Sequence, residues 1–271
     1  MFNKIMEEGF KRVWEEDRES QINFLKTIAK DVRNMNVDIL VNAGCIFIPN
    51  NEYMVHFFGP KVLDVNYDCY NSYGNCNWNN NIIFPVRDIL DRIVAISGFN
   101  PINKLMSEQE KDVTINAYRT SNSNVFDKGL HLFANKGVLK KAMEEGYIII
   151  TDGVFDMLVL ADAGYNSAAL LGSSLTEEHI TYLKFIERVY LAEDNDKAGS
   201  QLGNYMKRRL RNFARIKFNK FKDVDDILKS EYRDEFLKEL NRGMKSPIQC
   251  DIHIELNKGK YSRLERVVNN G

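Results

Sequence analysis

The chain has 271 residues, of which 44% are hydrophobic and 28% are charged, and its formal net charge is −1. This length allows one or two domains with a sizeable core. The near-zero charge excludes a protein that attracts nucleic acid through bulk charge, so such binding requires a local patch. A run of about twenty apolar residues, as a membrane span needs, does not occur. The acid-rich residues 1–20 do not have the continuous apolar stretch of a signal peptide.

The four cysteines are scattered and none forms a Cys-x-x-Cys pair: they are Cys45, Cys69, Cys76 and Cys250. Tetrahedral zinc sites usually draw on such closely spaced pairs, so no zinc is expected, although Cys69 and Cys76 remain open as a lone pair of ligands. Reduced thiols are typical of a cytoplasmic protein, which is the location that the sequence predicts.

The first part of the chain, residues 1–145, is predicted to be a mixed α+β subdomain. Apolar residues recur at helical spacing through residues 1–45, for example at Ile22, Leu25 and Ile28. The runs CIFIPN and YMVHFF favour strands, and NSYGNCNWNNN favours a polar loop. The segment IIFPVRDILDRIVAISGF favours two strands that are joined by a charged turn.

From residue 146 to residue 228, short apolar runs alternate with helical segments. The predicted strands are YIIIT, NSAALLG, RVYLAE and ARIKF, and the segments between them have helical patterns. This alternation predicts an α/β domain, a Rossmann-like parallel sheet flanked by helices with right-handed crossovers. Residues 229–271 are charged and predict a short helical tail.

Aspartates follow three of these strands. Asp152 follows the first, Asp194 and Asp196 follow the third, and Asp223 and Asp225 follow the fourth after a short link. Ligands of open parallel sheets bind at the carboxyl ends of the strands. Hard oxygen ligands suit Mg²⁺ or Mn²⁺, and a divalent cation relieves the repulsion between clustered carboxylates.

Each aspartate also has a purely structural interpretation. Asp196 and Asp223 precede predicted helices and suit N-caps, and Asp152 with Gly153 suits a tight turn. Asp156, one helical turn after Asp152, either assists Asp152 or the metal, or is an acid that the helix macrodipole favours. The occurrence of these aspartates in order along a βαβ framework favours the metal site.

These features resemble a Toprim domain, the fold of bacterial-type primases, type IA and II topoisomerases and several nucleases. The family's Glu-Gly after the first strand and Asp-x-Asp after the third are matched by TDGVFDMLVL and LAEDNDKAG. AGYNSAALLGSSLTEEHI and KDVDDIL are similar to the form of the domain in DnaG-type primases. Upstream, FPVRDILDRIVAISGF and AYRTSNSNVFDKGLHLF resemble two further primase segments, so the resemblance covers about residues 80–228.

The chain departs from the family pattern at three positions. Asp152 stands where the family has its catalytic Glu, Phe99 where it usually has Arg, and Ala117 where it has Lys. The last two changes remove positive charge from the expected nucleotide path, whereas Lys128 matches the lysine of the family's Phe-x-Lys-Gly.

The resemblance implies a DNA primase, which joins ribonucleoside triphosphates into short RNA primers on a single-stranded DNA template. It implies two or more Mg²⁺ or Mn²⁺ ions held by Asp194, Asp196, Asp223 and Asp225, with Asp152 at the reaction centre and Asp156 beside it. Asp152, Asp194 and Asp196 would be the catalytic residues. Nucleotide and nucleic-acid contacts are expected from Arg87, Arg92, Arg119 and Lys128. Residues 207–222 have no acidic residue and either contact phosphates or form a solvated face.

Neither the zinc-binding module nor the helicase-binding domain of the family is evident in the sequence. Either the chain is an excised core, or template selection and helicase contact come from separate proteins, as a small replicon such as a phage could encode. A replicative helicase or a separate template-recognition protein is the partner that the second possibility predicts. Two alternatives remain open: a Toprim nuclease that hydrolyses phosphodiesters at the same metals, and a degenerate core that binds DNA or a helicase without catalysis.

Overall fold

The computed structural model describes residues 2–30, 35–60, 78–110, 118–120, 128–171, 175–246 and 250–256. Most of the predicted polar loop at 71–81 and much of the segment 117–133 lie outside these ranges. Within them, the chain forms a four-stranded antiparallel sheet and a five-stranded parallel sheet, with helices around both.

The chain begins with helices, as the apolar spacing predicts. They are α1 (Phe2–Glu16), α2 (Arg18–Ile28) and α3 (Val37–Asn42), and strand β1 (Ile46–Ile48) follows. The predicted strand YMVHFF is wrong, because these residues belong to helix α4 (Asn51–Phe58). The side chain of Asn50 caps α4 by accepting a hydrogen bond from Tyr53 N at 2.8 Å. Met54, Phe57 and Phe58 are buried at helical spacing, which a short apolar run alone does not distinguish from a strand.

The predicted strand pair around the charged turn is confirmed. Strands β2 (Asn81–Arg87) and β3 (Ile93–Phe99) form an antiparallel hairpin. Strand β1 pairs with β2, and β4 (Tyr118–Thr120) pairs with β3, so the sheet order is β1-β2-β3-β4. Helix α5 (Pro101–Glu110) follows β3, and a 3₁₀ turn (Lys128–Leu130) and helix α6 (Val138–Glu145) precede the second sheet.

The predicted alternation of strands and helices is confirmed in the second sheet. In chain order the elements are β5 (Tyr147–Thr151), α7 (Val154–Asp162), β6 (Ser167–Ala169), α8 (Glu177–Leu183), β7 (Arg188–Ala192), α9 (Lys197–Arg209) and β8 (Phe213–Phe218). All strand pairs are parallel and the order is β6-β5-β7-β8-β9. The chain turns to one side of β5 and then to the other, which creates a crevice at the carboxyl ends of β5 and β7.

The carboxyl-terminal part is not purely helical. Helices α10 (Val224–Leu228) and α11 (Arg233–Met244) agree with the predicted tail, but Ile252–Ile254 form strand β9, which extends the sheet beside β8. Ile252 and Ile254 are buried and His253 is exposed. Three alternating residues among polar neighbours are too short a pattern to predict a strand, and the partner strand β8 supplies the hydrogen bonds that define it.

Helix α7 connects the two sheets through a shared core. Its residues Val154 to Leu160 are all buried, as in a helix that is covered on all sides. Phe155 packs edge-on against Phe99 of β3 at 5.1 Å and against Phe84 of β2 at 5.9 Å between ring centroids. Because Asp152 and Asp156 lie at the start of α7, this packing fixes their position relative to both sheets.

Candidate metal centre

Three neighbouring strands bring the predicted aspartates to one edge of the parallel sheet. Strand β7 lies between β5 and β8. Asp152 follows β5, Asp194 and Asp196 follow β7, and Asp223 and Asp225 follow β8. Parallel strands end at the same side, so the five carboxylates converge on the crevice beside the β5–β7 switch point.

Asp196 and Asp223 are helix caps, as their structural interpretation predicts. Asp196 Oδ1 accepts a hydrogen bond from Gly199 N at 2.9 Å, at the start of α9. Asp223 Oδ1 accepts one from Asp226 N at 3.0 Å, at the start of α10. A cap of this kind uses one carboxylate oxygen and leaves lone pairs on the other, so the cap and a metal ligand are compatible roles.

Asp156 is buried and connects the first acidic segment with the last. It is 8% exposed, and its Oδ1 accepts a hydrogen bond from Asp225 N at 2.9 Å. Its Oδ2 packs against Gly153, where an added Cβ would lie 2.5 Å away. A side chain at position 153 would therefore displace the Asp156 carboxylate. Of the two interpretations of Asp156, the structure favours contact with the acidic cluster over a solvated acid at a helix start.

The carboxylates lie close enough to raise one another's pKa. Burial, followed by the charges of Asp223, Asp194 and Asp225, raises the pKa of Asp156 to about 7, against a partly compensating hydrogen bond from Asp225 N. Burial and then the charges of Asp223 and Asp152 raise the pKa of Asp194 to about 6. Partial burial and then Asp196 raise the pKa of Asp152. These interactions connect the predicted residues to one another.

Two lysines beside the cluster were not predicted from the sequence. Lys222 lowers the pKa of both Asp152 and Asp194, opposing the rise that burial causes. Lys229 Nζ lies 2.6 Å from Asp225 Oδ2, one helical turn further along α10. The spacing of four residues between Asp225 and Lys229 on a helix was the available signal for this contact.

The donor set fits a hard divalent cation. Among the described residues, no three His, Cys, Asp or Glu side chains form a preformed metal-binding group. However, the donors at the crevice are carboxylate oxygens, and burial followed by their mutual repulsion raises the pKa of Asp152, Asp156 and Asp194. Mg²⁺ and Mn²⁺ take oxygen ligands and would relieve this repulsion.

The predicted arginines Arg87 and Arg92 lie at the end of the β2–β3 hairpin. Arg87 donates hydrogen bonds to Glu7 Oε1 at 3.2 Å and to Asp91 O at 2.7 Å, which ties α1 to the hairpin. Arg92 pairs with Asp88 at 2.6 Å and is 60% exposed. The structure therefore gives Arg87 a structural contact, and it brings neither arginine into contact with the acidic cluster. Their role in nucleic-acid binding stays a prediction.

Of the other residues predicted along the nucleotide path, only Phe99 has a side chain in the described part of the structure. Arg119 pairs through its backbone with Gly98 in the antiparallel sheet, and Lys128 begins the 3₁₀ turn, but both side chains lie outside the described part of the structure, as does Ala117. Phe99 is fully buried against Phe155. The side chain of Phe99 therefore belongs to the core, and the loss of positive charge from the nucleotide path at this position stays a prediction.

The basic stretch 207–222 is not a continuous basic surface. Arg209 pairs with Glu177, and Lys207 lies 3.7 Å from Asp251. Arg215 is buried in strand β8. The basic stretch thus comprises a helix end, a buried strand and the loop that leads to Asp223. This division supports the interpretation of its helical part as a solvated face.

Comparison with known proteins agrees with this geometry. Residues 149–228 match the family model described as Toprim-like. The chain is 32% identical to the DNA primase of Aquifex aeolicus over 120 residues. This aligned region covers 44% of this chain and 22% of that protein. The chain spans less than a third of the length of the curated relatives that it matches. Their shared name is DNA primase, so the resemblance that the sequence predicted is confirmed.

Solved structures show the same fold. The DnaG primase catalytic domain bound to single-stranded DNA matches with a TM-score of 0.67 at 17% identity, over 89% of this chain and 78% of that chain. The RNA polymerase domain of Mycobacterium tuberculosis DnaG, in complex with a double-stranded DNA oligomer with a 6-nucleotide overhang, matches with a TM-score of 0.69 at 13% identity, over 89% and 80% of the two chains. The match extends well beyond the Toprim-like residues, as the upstream primase-like segments predict.

Proposed function

We propose that the protein is the catalytic core of a DNA primase, which synthesises short RNA primers on single-stranded DNA. The observation that carries the proposal is the group of coupled carboxylates at the crevice of a Toprim-like domain, within a fold that matches primase catalytic cores. The match to a primase catalytic domain covers 89% of the chain and therefore includes the antiparallel sheet that precedes the Toprim-like residues, which favours a primase over a Toprim nuclease.

The aspartates would divide the work by position. Asp194 and Asp196, with Asp223 and Asp225, would hold the divalent cations, and the half-buried Asp194 would do so from the centre of the cluster. Bound Mg²⁺ or Mn²⁺ would neutralise charge on the attacking and leaving oxygens of phosphoryl transfer. Asp152 is accessible at the end of β5 and would contact the reaction centre. Asp156 would support the cluster from below, since its carboxylate fixes the Asp225 backbone.

The substrates and partners follow from the same proposal. Ribonucleoside triphosphates and a single-stranded DNA template are the expected substrates, and Arg87, Arg92, Arg119 and Lys128 are the proposed nucleotide or nucleic-acid contacts. A replicative helicase or a separate template-recognition protein would complete the activity in the cytoplasm. Among the described residues, no helix has the length and apolar character needed to cross a bilayer.

A priming assay tests the proposal. The protein is incubated with single-stranded DNA, the four ribonucleotides and Mg²⁺ or Mn²⁺, and the products are separated on a denaturing gel. The wild type should make short RNA, and Asp194→Asn should reduce the yield about a hundredfold or more, as loss of a metal ligand does to metal-assisted transfer. Asp162→Asn is the matched control, because Asp162 is an exposed aspartate at the far end of α7.

The same assay separates the alternatives. Fragments of the DNA without RNA products would identify a nuclease. Neither product, together with no metal-dependent heat in a calorimetric titration of the wild type, would identify a degenerate core. Either result would overturn the primase proposal.

A further inference from the structure

A buried carboxylate directly precedes the proposed metal ligand Asp194. Glu193 is 6% exposed, and its backbone N donates to Ile216 O at 3.1 Å at the end of the β7–β8 ladder. Its side chain lies beneath α9, where Ser200 Oγ donates to Glu193 Oε1 at 3.2 Å. A buried carboxylate is costly to desolvate, so it requires a charged partner.

Arg215 of strand β8 is the buried partner, and the partly exposed Lys217 of the same strand is a second one, with its Nζ 3.5 Å from Glu193 Oε1. Arg215 Nη1 donates to Glu193 Oε2 at 3.2 Å, and Arg215 Nη2 donates to Asn204 Oδ1 of α9 at 2.7 Å. Both side chains of the Glu193–Arg215 ion pair are less than a tenth exposed. Arg215 N also donates to Asp251 Oδ1 at 3.2 Å, just before strand β9. The pair thus joins β7, β8, α9 and the approach to β9 at one point.

Two glycines allow α9 to lie directly on this network. At Gly203 an added Cβ would lie 2.4 Å from Glu193 Oε2 and 3.2 Å from Arg215 Nε. At Gly199 it would lie 2.3 Å from the backbone oxygen of Asp194. Helix α9 therefore contacts the Asp194–Asp196 turn with its first turn and the Glu193–Arg215 pair with its second.

We propose that the buried Glu193–Arg215 pair is a positioning element that holds the Asp194–Asp196 turn in the geometry needed to bind divalent metal. The inference rests on the proposed function, in which Asp194 and Asp196 are metal ligands. Glu193 fixes the chain immediately before Asp194, and Arg215 fixes both Glu193 and the inner face of α9, whose first residue follows Asp196. Removal of either partner breaks the buried, hydrogen-bonded pair and leaves the remaining charge only a longer contact, from Lys217 Nζ to Glu193 Oε1 at 3.5 Å or from Arg215 Nε to Asp251 Oδ2 at 3.9 Å. The turn must then move to hydrate that charge.

The experiment measures Mn²⁺ binding by calorimetry for Glu193→Gln and Arg215→Gln. A simple charge effect predicts opposite results, because loss of the anion weakens and loss of the cation strengthens attraction for Mn²⁺. The positioning role predicts that both variants weaken binding, by about tenfold or more, as is typical of residues that orient metal ligands. Tighter binding by Arg215→Gln, or unchanged affinity in both variants, would overturn the inference.

Two controls separate positioning from general effects. Val189→Ala removes buried volume at the other end of β7 and destabilises the same sheet, and Arg208→Gln removes an exposed cation from α9. Both should keep the wild-type Mn²⁺ affinity within about twofold, the range of ordinary surface or remote changes. All variants are compared at a temperature at which circular dichroism shows that they are folded.

A second readout requires no metal. Asn195 N donates to Lys222 O at 2.8 Å, and Gly199 N donates to Asp196 Oδ1 at 2.9 Å, so both amides report on the turn. In metal-free protein these amides should exchange with solvent faster in both ion-pair variants than in Val189→Ala. Equal exchange rates would overturn the inference. If the wild type binds no Mn²⁺, the proposed function fails, and amide exchange still decides whether the pair positions the turn.

Discussion

Asp156→Asn should stabilise the metal-free protein at alkaline pH. Burial and the neighbouring aspartates raise the pKa of Asp156 to about 7 from its ordinary value of 3.8. Because the folded-state pKa is raised, the folded protein binds more protons than the unfolded chain between these values, and stability falls as the pH rises through them. Asparagine has no charge to desolvate, and its Oδ1 can still accept the hydrogen bond from Asp225 N.

The magnitude follows from the size of the shift. About two units of the Asp156 pKa shift lie between pH 5 and pH 7, and each unit corresponds to about 1.4 kcal/mol. Through Asp156, the free energy of unfolding of the wild type should therefore fall by on the order of 3 kcal/mol over this range. The free energy of unfolding of Asp156→Asn, relative to wild type, should increase by roughly this amount from pH 5 to pH 8.

Urea unfolding in EDTA at pH 5 and pH 8 measures this difference. Asp162→Asn is the control, since Asp162 is exposed and lies about 9 Å further along α7. Added Mn²⁺ should then stabilise the wild type more than Asp156→Asn at pH 8, because the cation relieves the same repulsion. Parallel pH dependence of the two proteins in EDTA would refute the reasoning.

Three further predictions follow from the contacts of the site. Lys229→Met should tighten Mn²⁺ binding about fivefold in calorimetry, because loss of a partly exposed cation contact to Asp225 corresponds to ~1 kcal/mol. The control Lys184→Met, on an exposed turn, should have no effect, and weaker Mn²⁺ binding by Lys229→Met would contradict the assigned contact. Asp152→Glu should keep priming activity within about tenfold of wild type, since the exposed Asp152 leaves room for one more methylene. Asp152→Asn should reduce priming activity about a hundredfold or more. Equal activity of the two variants on the priming gel would exclude a charged role for this residue. Phe99→Arg should lower the free energy of unfolding in urea by more than about 4 kcal/mol, against roughly 1–2 kcal/mol for Phe99→Leu, because position 99 is buried against Phe155. A stable Phe99→Arg protein would show that the position faces solvent.

The parallel sheet and its acidic edge were predictable because their patterns are local and periodic. YIIIT, RVYLAE and ARIKF are buried strands, and the aspartates follow them at the edge that parallel topology defines. Asp196 and Asp223 could be predicted both as caps and as ligands, and the sequence alone does not separate roles that one carboxylate can combine.

The features that sequence reasoning missed depend on tertiary contacts. The apolar run of α4 is also compatible with a strand, and it is the Asn50 cap and the burial of one face of the segment that identify it as a helix. Strand β9 is defined by its partner β8 rather than by its own residues. The sequence marked Phe99 only as a position where the family has an Arg, and its packing on Phe155 in the core could not be read from that comparison. Glu193 and Arg215 are far apart in sequence, so their ion pair leaves no local pattern.

Anomalous diffraction from crystals soaked in MnCl₂ tests the metal centre most directly. The account predicts at least two manganese peaks between the carboxylates of Asp152, Asp194, Asp196, Asp223 and Asp225, with Lys229 displaced from Asp225, because phosphoryl transfer of this kind uses about two cations. Manganese bound only elsewhere, or an empty crevice at millimolar Mn²⁺, would contradict it.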